Sequence, residues 1–197
     1  MTMEKTINIK ISNLTSFYKK IYFYILLSIF KIKLKVTFDG KEKLKKYTEE
    51  QKTIINCINI LNSNTRQEKY NLIYDYSCDY LDREFINKNL CGFKNDMCAC
   101  NRSKPKNLQL SSCCESGKTR TICDHFDKDG KVCKIKSIGC KLFTCPYLHR
   151  KGIKYPIRKI PYLKYFLSTR QKLVIKSSTF QDKDVIVDKL LKFYKMP

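Results

Sequence analysis

The stretch Thr48-Glu49-Glu50-Gln51-Lys52-Thr53-Ile54-Ile55-Asn56-Cys57-Ile58-Asn59-Ile60-Leu61 sets the fold class. Its first four residues fit a capping box, in which a Thr hydroxyl and a Gln side chain satisfy free backbone groups at a helix start. Ile54, Cys57, Ile58 and Leu61 then recur at spacings of three and four, which gives a helix one buried face. Cys57 lies on that face and is expected to be a packed core residue rather than a ligand.

Downstream, a second helix is expected from about Gln67 to Phe85, with Leu72, Tyr76 and Tyr80 on a shared stripe and Cys78 on another side. Upstream, Ile7, Ile9 and Ile11 alternate with polar residues, and so do Ile32, Leu34, Val36 and Phe38 before the Asp39-Gly40 turn signal. Both runs predict short strands. Near the end, Pro156 and Pro161 punctuate the chain, and Thr179 with Asp182 three positions later predicts a terminal helix buried through Ile186, Leu190 and Phe193. The expected fold is mostly α with short N-terminal strands and an irregular, loop-rich metal-binding centre. Its expected parts are an N-terminal helical region (1–90), a cysteine-rich metal-binding module (91–149) and a basic C-terminal helical region packing on the rest (150–197).

The chain has 197 residues, enough for one domain with a small appended one. Its 43% hydrophobic content is too high for simple disorder, and 6 Gly and 5 Pro exclude collagen-like and Gly/Pro-rich linker classes. Forty Lys and Arg against 18 Asp and Glu leave a net charge of +22, and the excess is greatest over residues 146–197. A field of that sign attracts polyanions. Yet 33 of the 40 are Lys, in a chain rich in Ile, Asn and Tyr with a single Ala, Ala99. That profile matches an A+T-rich codon bias, so the charge reads first as solvated surface, and nucleic acid is not the favoured partner. No run of about 18 apolar residues is present. Ile21–Phe30, flanked by Lys19, Lys20 and Lys31, is followed by no cleavage site and is expected to be buried or interface-lying, with peripheral membrane contact as the alternative. A cytoplasmic location is expected.

Nine of the 11 cysteines fall between positions 91 and 145: Cys91, Cys98, Cys100, Cys113, Cys114, Cys123, Cys133, Cys140 and Cys145. Thiolates are soft, polarisable ligands, and several gathered on short tethers close a site around zinc or an iron–sulfur cluster. Spacing alone does not choose between the two. A disulfide framework is the competing reading, but it needs an oxidising compartment. All nine are candidate metal ligands, with zinc or an iron–sulfur cluster as the expected cofactor.

From position 113 the chain reads Cys113-Cys114, then Cys123-Asp124-His125-Phe126-Asp127-Lys128-Asp129-Gly130-Lys131-Val132-Cys133, then Gly139-Cys140-Lys141-Leu142-Phe143-Thr144-Cys145. This stretch resembles the YkgJ-like cysteine-cluster family, described as zinc- or iron-chelating. The shared features are a double cysteine, a cysteine ahead of an Asp-Gly turn, a cysteine after it, and a last cysteine followed by a basic residue and an aromatic. Cys113, Cys114, Cys123, Cys133 and Cys140 are the corresponding positions. Cys98 and Cys100 lie farther from the double cysteine than the family's extra cysteines do, and Ile138-Gly139 replaces a common Arg-Pro. Whether one site or two form stays open. The resemblance implies chelation; because some relatives are described as flagellin lysine methylases, an enzyme or enzyme accessory related to methyl transfer is a further reading. No Gly-rich cofactor motif accompanies it.

Cys133, Cys140, Cys145 and His149 also look like a Cys-Cys-Cys-His zinc finger of the RNA-binding kind. Phe143 and Tyr147 would then stack on bases, and Arg150, Lys151, Lys154, Arg158 and Lys159 would meet phosphates. His125 and His149 each lie close enough to a cysteine in sequence to complete a site or to be ordinary loop histidines. The aromatics Tyr155, Tyr162, Tyr165 and Phe166 read as core packing ahead of base stacking. No Ser-His-Asp order, HExxH, P-loop or dinucleotide fingerprint is present, so hydrolytic chemistry lacks its usual parts.

Overall fold

In the computed structural model, the Gln51 amide donates to the Thr48 hydroxyl at 3.2 Å and the Thr48 amide donates to the Gln51 side chain at 2.9 Å. This reciprocal cap opens helix α1, Glu49–Leu61. Ile54, Cys57, Ile58 and Leu61 are buried as expected, joined by Thr53, Ile55 and Ile60. The structure describes residues 6–10, 13, 16, 33–37, 47–84, 88–90, 92, 94, 99–103, 105–108, 115–116, 121–122, 126–127, 132–133, 137–142 and 146–193.

Helix α2, Arg66–Asp82, starts at Thr65, whose hydroxyl accepts the Glu68 amide at 3.1 Å. Its buried face is Tyr70, Ile73, Tyr74, Ser77, Cys78 and Leu81. The expected stripe of Leu72, Tyr76 and Tyr80 is instead a half-buried flank. The face that packs on the other helices runs through Ile73, Tyr74, Ser77, Cys78 and Leu81 instead. The Ser77 hydroxyl donates to the Ile73 carbonyl at 2.6 Å and so enters the core satisfied. Tyr76 and Tyr80 pack by ring contact on Tyr162, with centroids 5.7 and 6.4 Å away.

Strands β1, Thr6–Lys10, and β2, Lys33–Thr37, pair in parallel in the register Thr6↔Lys33 to Lys10↔Thr37. β2 also lies on α1, and Ile9 joins the core. Parallel pairing requires a crossover of a dozen or more residues, here 11–32. The apolar run Ile21–Phe30 within it lies outside the described residues, as do Ile11, Ile32 and Phe38 of the two alternating runs.

Next come α3, Ala99–Arg102, and two small antiparallel pairs: β3, Glu115–Ser116, with β4, Thr121–Ile122, and β5, Phe126–Asp127, with β6, Val132–Cys133. They are followed by α4, Ile138–Lys141, and α5, Pro146–Arg150. Helix α6, Pro161–Phe166, has Pro161 at its first position, where the missing N–H costs nothing. A second capping box, Ser168 with Gln171, opens α7, Thr169–Ser177. The last helix, α8, is Lys183–Lys192. It begins after Asp182 rather than at Thr179, and its buried residues are Ile186, Val187 and Leu190. Phe193 is 43% exposed, so Val187 takes the place expected of it.

Helix α2 is central, touching α1, α4, α6 and α8. One hydrophobic core therefore joins residues from Ile9 through Ile138 to Leu190. Helices account for 67% of the described residues, which makes the fold mostly α with two short parallel strands. Among the described residues, no helix is long and apolar enough to cross a membrane.

Candidate metal centre

The segment from Ser137 to Leu142 carries Cys140 and is fastened to the helical scaffold at several points. Ser137 caps α4, its hydroxyl accepting the Cys140 amide at 3.4 Å and donating to the Ser178 carbonyl at 3.1 Å. The Ile138 amide donates to the Tyr74 hydroxyl at 3.3 Å, and the Ile138 side chain is fully buried. Burial of that side chain contributes about 1.5–3 kcal/mol. Lys141 forms an ion pair with Asp82 at the end of α2. Gly139 lets α4 reach the end of α7: a Cβ there would lie 2.8 Å from the Ser178 carbonyl oxygen and 3.0 Å from that of Ile175. Both obstacles are backbone, so only glycine fits without movement.

On this platform the Phe180 amide donates to the Cys140 sulfur at 3.2 Å. Phe180 has a φ of 57°, in the left-handed region that bulky residues avoid. Such a conformation costs about 1–3 kcal/mol and persists only where its surroundings impose it. Here it accompanies an N–H aimed at sulfur. A neutral thiol sulfur is a weak acceptor, whereas a thiolate is a strong one, and such bonds orient and tune metal-bound sulfur. The bond fixes the direction of the Cys140 sulfur, as a ligand position would need.

The remaining predicted ligands divide by position. Cys100 lies on α3 and Cys133 on β6, where it is registered opposite Phe126. Helix α3 contacts α5, the short helix that follows Cys145 in sequence and carries His149. Cys91, Cys98, Cys113, Cys114, Cys123 and Cys145 lie outside the described residues, as does His125. Among the described residues, no group of three or more His, Cys, Asp or Glu is gathered to hold a metal ion.

Cys57 and Cys78 have a different character. Both lie in the core outside any disulfide, 0% and 2% exposed. Burial pushes the Cys78 thiol up to about 12 and that of Cys57 higher still, so neither offers a thiolate near neutrality.

The aromatic run 155–166 belongs largely to the scaffold. Tyr162 is 1% exposed and its hydroxyl accepts from Asn56 at 3.1 Å, while Tyr155, Tyr165 and Phe166 are half-buried against the core. Burial, followed by the hydrogen bond to Glu84, pushes the Tyr155 hydroxyl above the usual tyrosine range. An open groove beside it, lined by Glu49, Glu50, Arg83, Glu84 and Lys88, escaped the sequence reading because its charges are far apart along the chain. Glu49 pairs with Arg83 at 2.6 Å, and Glu84 with Lys88 and the Tyr155 hydroxyl. These carboxylates serve as clamps between elements. Comparison with family models, curated proteins and solved structures returned no match for the chain.

Proposed function

We propose that this is a metal-binding protein whose segment 91–145 gathers thiolates around zinc or an iron–sulfur cluster. The ligand pool is Cys91, Cys98, Cys100, Cys113, Cys114, Cys123, Cys133, Cys140 and Cys145. The observation that carries the reading is the Phe180 amide donating to the Cys140 sulfur at 3.2 Å from a left-handed backbone. The clustering of cysteines in sequence and the resemblance to the YkgJ-like family support it further. So does the pairing of Phe126–Asp127 with Val132–Cys133, which brackets the Asp129-Gly130 turn signal of that resemblance.

A site made of sulfur alone favours a closed, structural centre, while iron would add the capacity to carry an electron. The helical scaffold would hold one anchor, Cys140, and the loops would close on the metal from there. Purification without oxygen, followed by elemental analysis and an absorption spectrum, tests this reading. Stoichiometric zinc in a colourless sample, or iron with charge-transfer bands, is expected. Cys123→Ser and Cys133→Ser should lose metal, and Cys57→Ser should keep it. Equal metal content in all three, or none in the parent protein, overturns the proposal.

A further inference from the structure

Arg102, the last residue of α3, reaches back along the chain. One of its guanidinium nitrogens donates to the Gly92 carbonyl at 2.8 Å and to that of Lys94 at 3.4 Å. Segment 92–102 is thereby drawn into a closed loop. At its mouth the Gly92 amide donates to the Asn89 carbonyl at 2.8 Å, with Asn89 at a φ of 42° and Gly92 at 57°. Closing so short a loop in advance removes part of the chain entropy that gathering ligands from it would otherwise cost.

Helix α3 contacts α5, which ends on Gly152 at a φ of 70°. The Gly152 amide donates to the His149 carbonyl and the Ile153 amide to that of Leu148, each at 2.9 Å, the pattern that stops a helix on a left-handed glycine. A helix of five residues stands only by what it packs on. Leu148 within it is 2% exposed, yet it lies outside the hydrophobic cluster that takes in Ile138 and the long helices. Thus α3, α5 and segment 92–94 form one packing unit. Segment 138–141, with Cys140, belongs to another.

Four of the nine candidate ligands attach to the first unit through the chain itself. Cys91 is bonded to Gly92, Cys98 to Ala99 and Cys145 to Pro146, and Cys100 lies within α3. These are also the four that the YkgJ-like pattern leaves unmatched. A zinc ion or an iron–sulfur cluster takes four thiolates, so nine cysteines are enough for two sites. Cys140 and Cys145 are five residues apart, a reach of up to about 17 Å in extended chain, which lets them serve different centres.

We infer that the protein holds two metal centres: one formed by Cys91, Cys98, Cys100 and Cys145 at the α3–α5 pair, the other drawn from Cys113, Cys114, Cys123, Cys133 and Cys140. The inference rests on the metal-binding reading above and divides its ligands. Besides pinning the loop, the Arg102 guanidinium brings a positive charge to the first unit, which favours thiolate over thiol and offsets the excess negative charge of four sulfurs on a divalent ion.

The test uses the full chain purified without oxygen, with folding followed by circular dichroism. Metal content is measured in the parent, in Cys91→Ser/Cys100→Ser and in Cys123→Ser/Cys133→Ser. Each double variant should keep one centre's share, about half of the parent's metal, and the four substitutions together should remove all of it. After the metal is exchanged for cobalt(II) under reducing conditions, thiolate-to-cobalt absorption should rise until two equivalents are bound by the parent and one by either double variant. Arg102→Gln, which removes no sulfur, should bind one equivalent roughly tenfold more weakly and the other as the parent does. Complete loss of metal in both double variants while they stay folded, or a parent end point at one equivalent of cobalt, means a single shared centre and overturns the inference. Full metal content in Cys91→Ser/Cys100→Ser also overturns it, while leaving the metal-binding reading to the other five cysteines. A parent without metal removes that reading and the inference with it. Should a double variant unfold, the cobalt end point of the parent decides.

Discussion

Replacing Gly139 by alanine sets two physical effects against each other with opposite signs. By helix propensity alone, Gly→Ala stabilises by up to about 1 kcal/mol. In this fold the added methyl would stand 2.8 Å from the Ser178 oxygen, 3.0 Å from the Ile175 oxygen and 3.1 Å from the Ser178 carbonyl carbon, none of which can rotate away. Overpacking of that kind costs about 1–3 kcal/mol. The displacement also stretches two bonds across the same gap, Ser137 to Ser178 at 3.1 Å and Phe180 to Cys140 at 3.2 Å. Each is worth about 1 kcal/mol net. The close approach therefore wins, and Gly139→Ala should destabilise by about 2–4 kcal/mol. For a chain of this size that lowers the unfolding midpoint by roughly 5–15 °C. Urea and thermal unfolding followed by circular dichroism read the change. An unchanged or raised stability would refute the tight seat of α4 on α7, and with it the argument that Cys140 is held in a fixed position.

Tyr70→Phe deprives the buried Gln171 amide of its 2.6 Å partner and should cost about 1–3 kcal/mol in urea unfolding; a loss below about 0.5 kcal/mol would show that the amide finds another partner. Burial alone would raise the Glu84 carboxyl, but hydrogen bonds from Lys88 and Tyr155 outweigh it and hold the group below the ordinary value of 4.5. Its stabilising contribution is therefore complete above that value and fades as pH falls through the lower folded-state value, so Glu84→Gln should flatten the stability profile on the acid side; parallel profiles for parent and variant would contradict the assignment. Cys57 and Cys78 should resist alkylation at pH 8 until the protein unfolds, as read by mass spectrometry, because burial both hides them and raises their thiols. Rapid native labelling of either would place it outside the core.

Features written in local chemistry were the legible ones. The Thr48/Gln51 cap and the face through Ile54, Cys57, Ile58 and Leu61 depend only on neighbours within a few residues, and both stand in the structure as read. The two alternating runs became strands, but their parallel pairing depends on a crossover that no short window contains. In α2, the large residues Leu72, Tyr76 and Tyr80 mark one stripe in the sequence, whereas tertiary packing buries the face of Tyr70, Ile73, Tyr74, Ser77, Cys78 and Leu81. In the last helix, Phe193 fits the period but is the C-cap just past the final turn, and it stands 43% exposed while Val187 is buried. Helix α7 is hard to read from sequence although Ser168 and Gln171 form the same box as at α1, because its charged surface masks a short buried face of Gln171, Val174 and Ile175. Of the candidate site, the cysteine grouping was plain in the sequence. The hydrogen bond to Cys140 was not, since it joins residues 40 apart in the chain.

The central claim is that sulfur atoms surround a metal, and X-ray absorption at the zinc and iron edges of protein purified without oxygen addresses it most directly. The expected spectrum shows a first shell dominated by sulfur, at about 2.3 Å for zinc, with the sulfur contribution reduced in Cys140→Ser. A first shell of oxygen and nitrogen alone, or no edge for either metal, would contradict it.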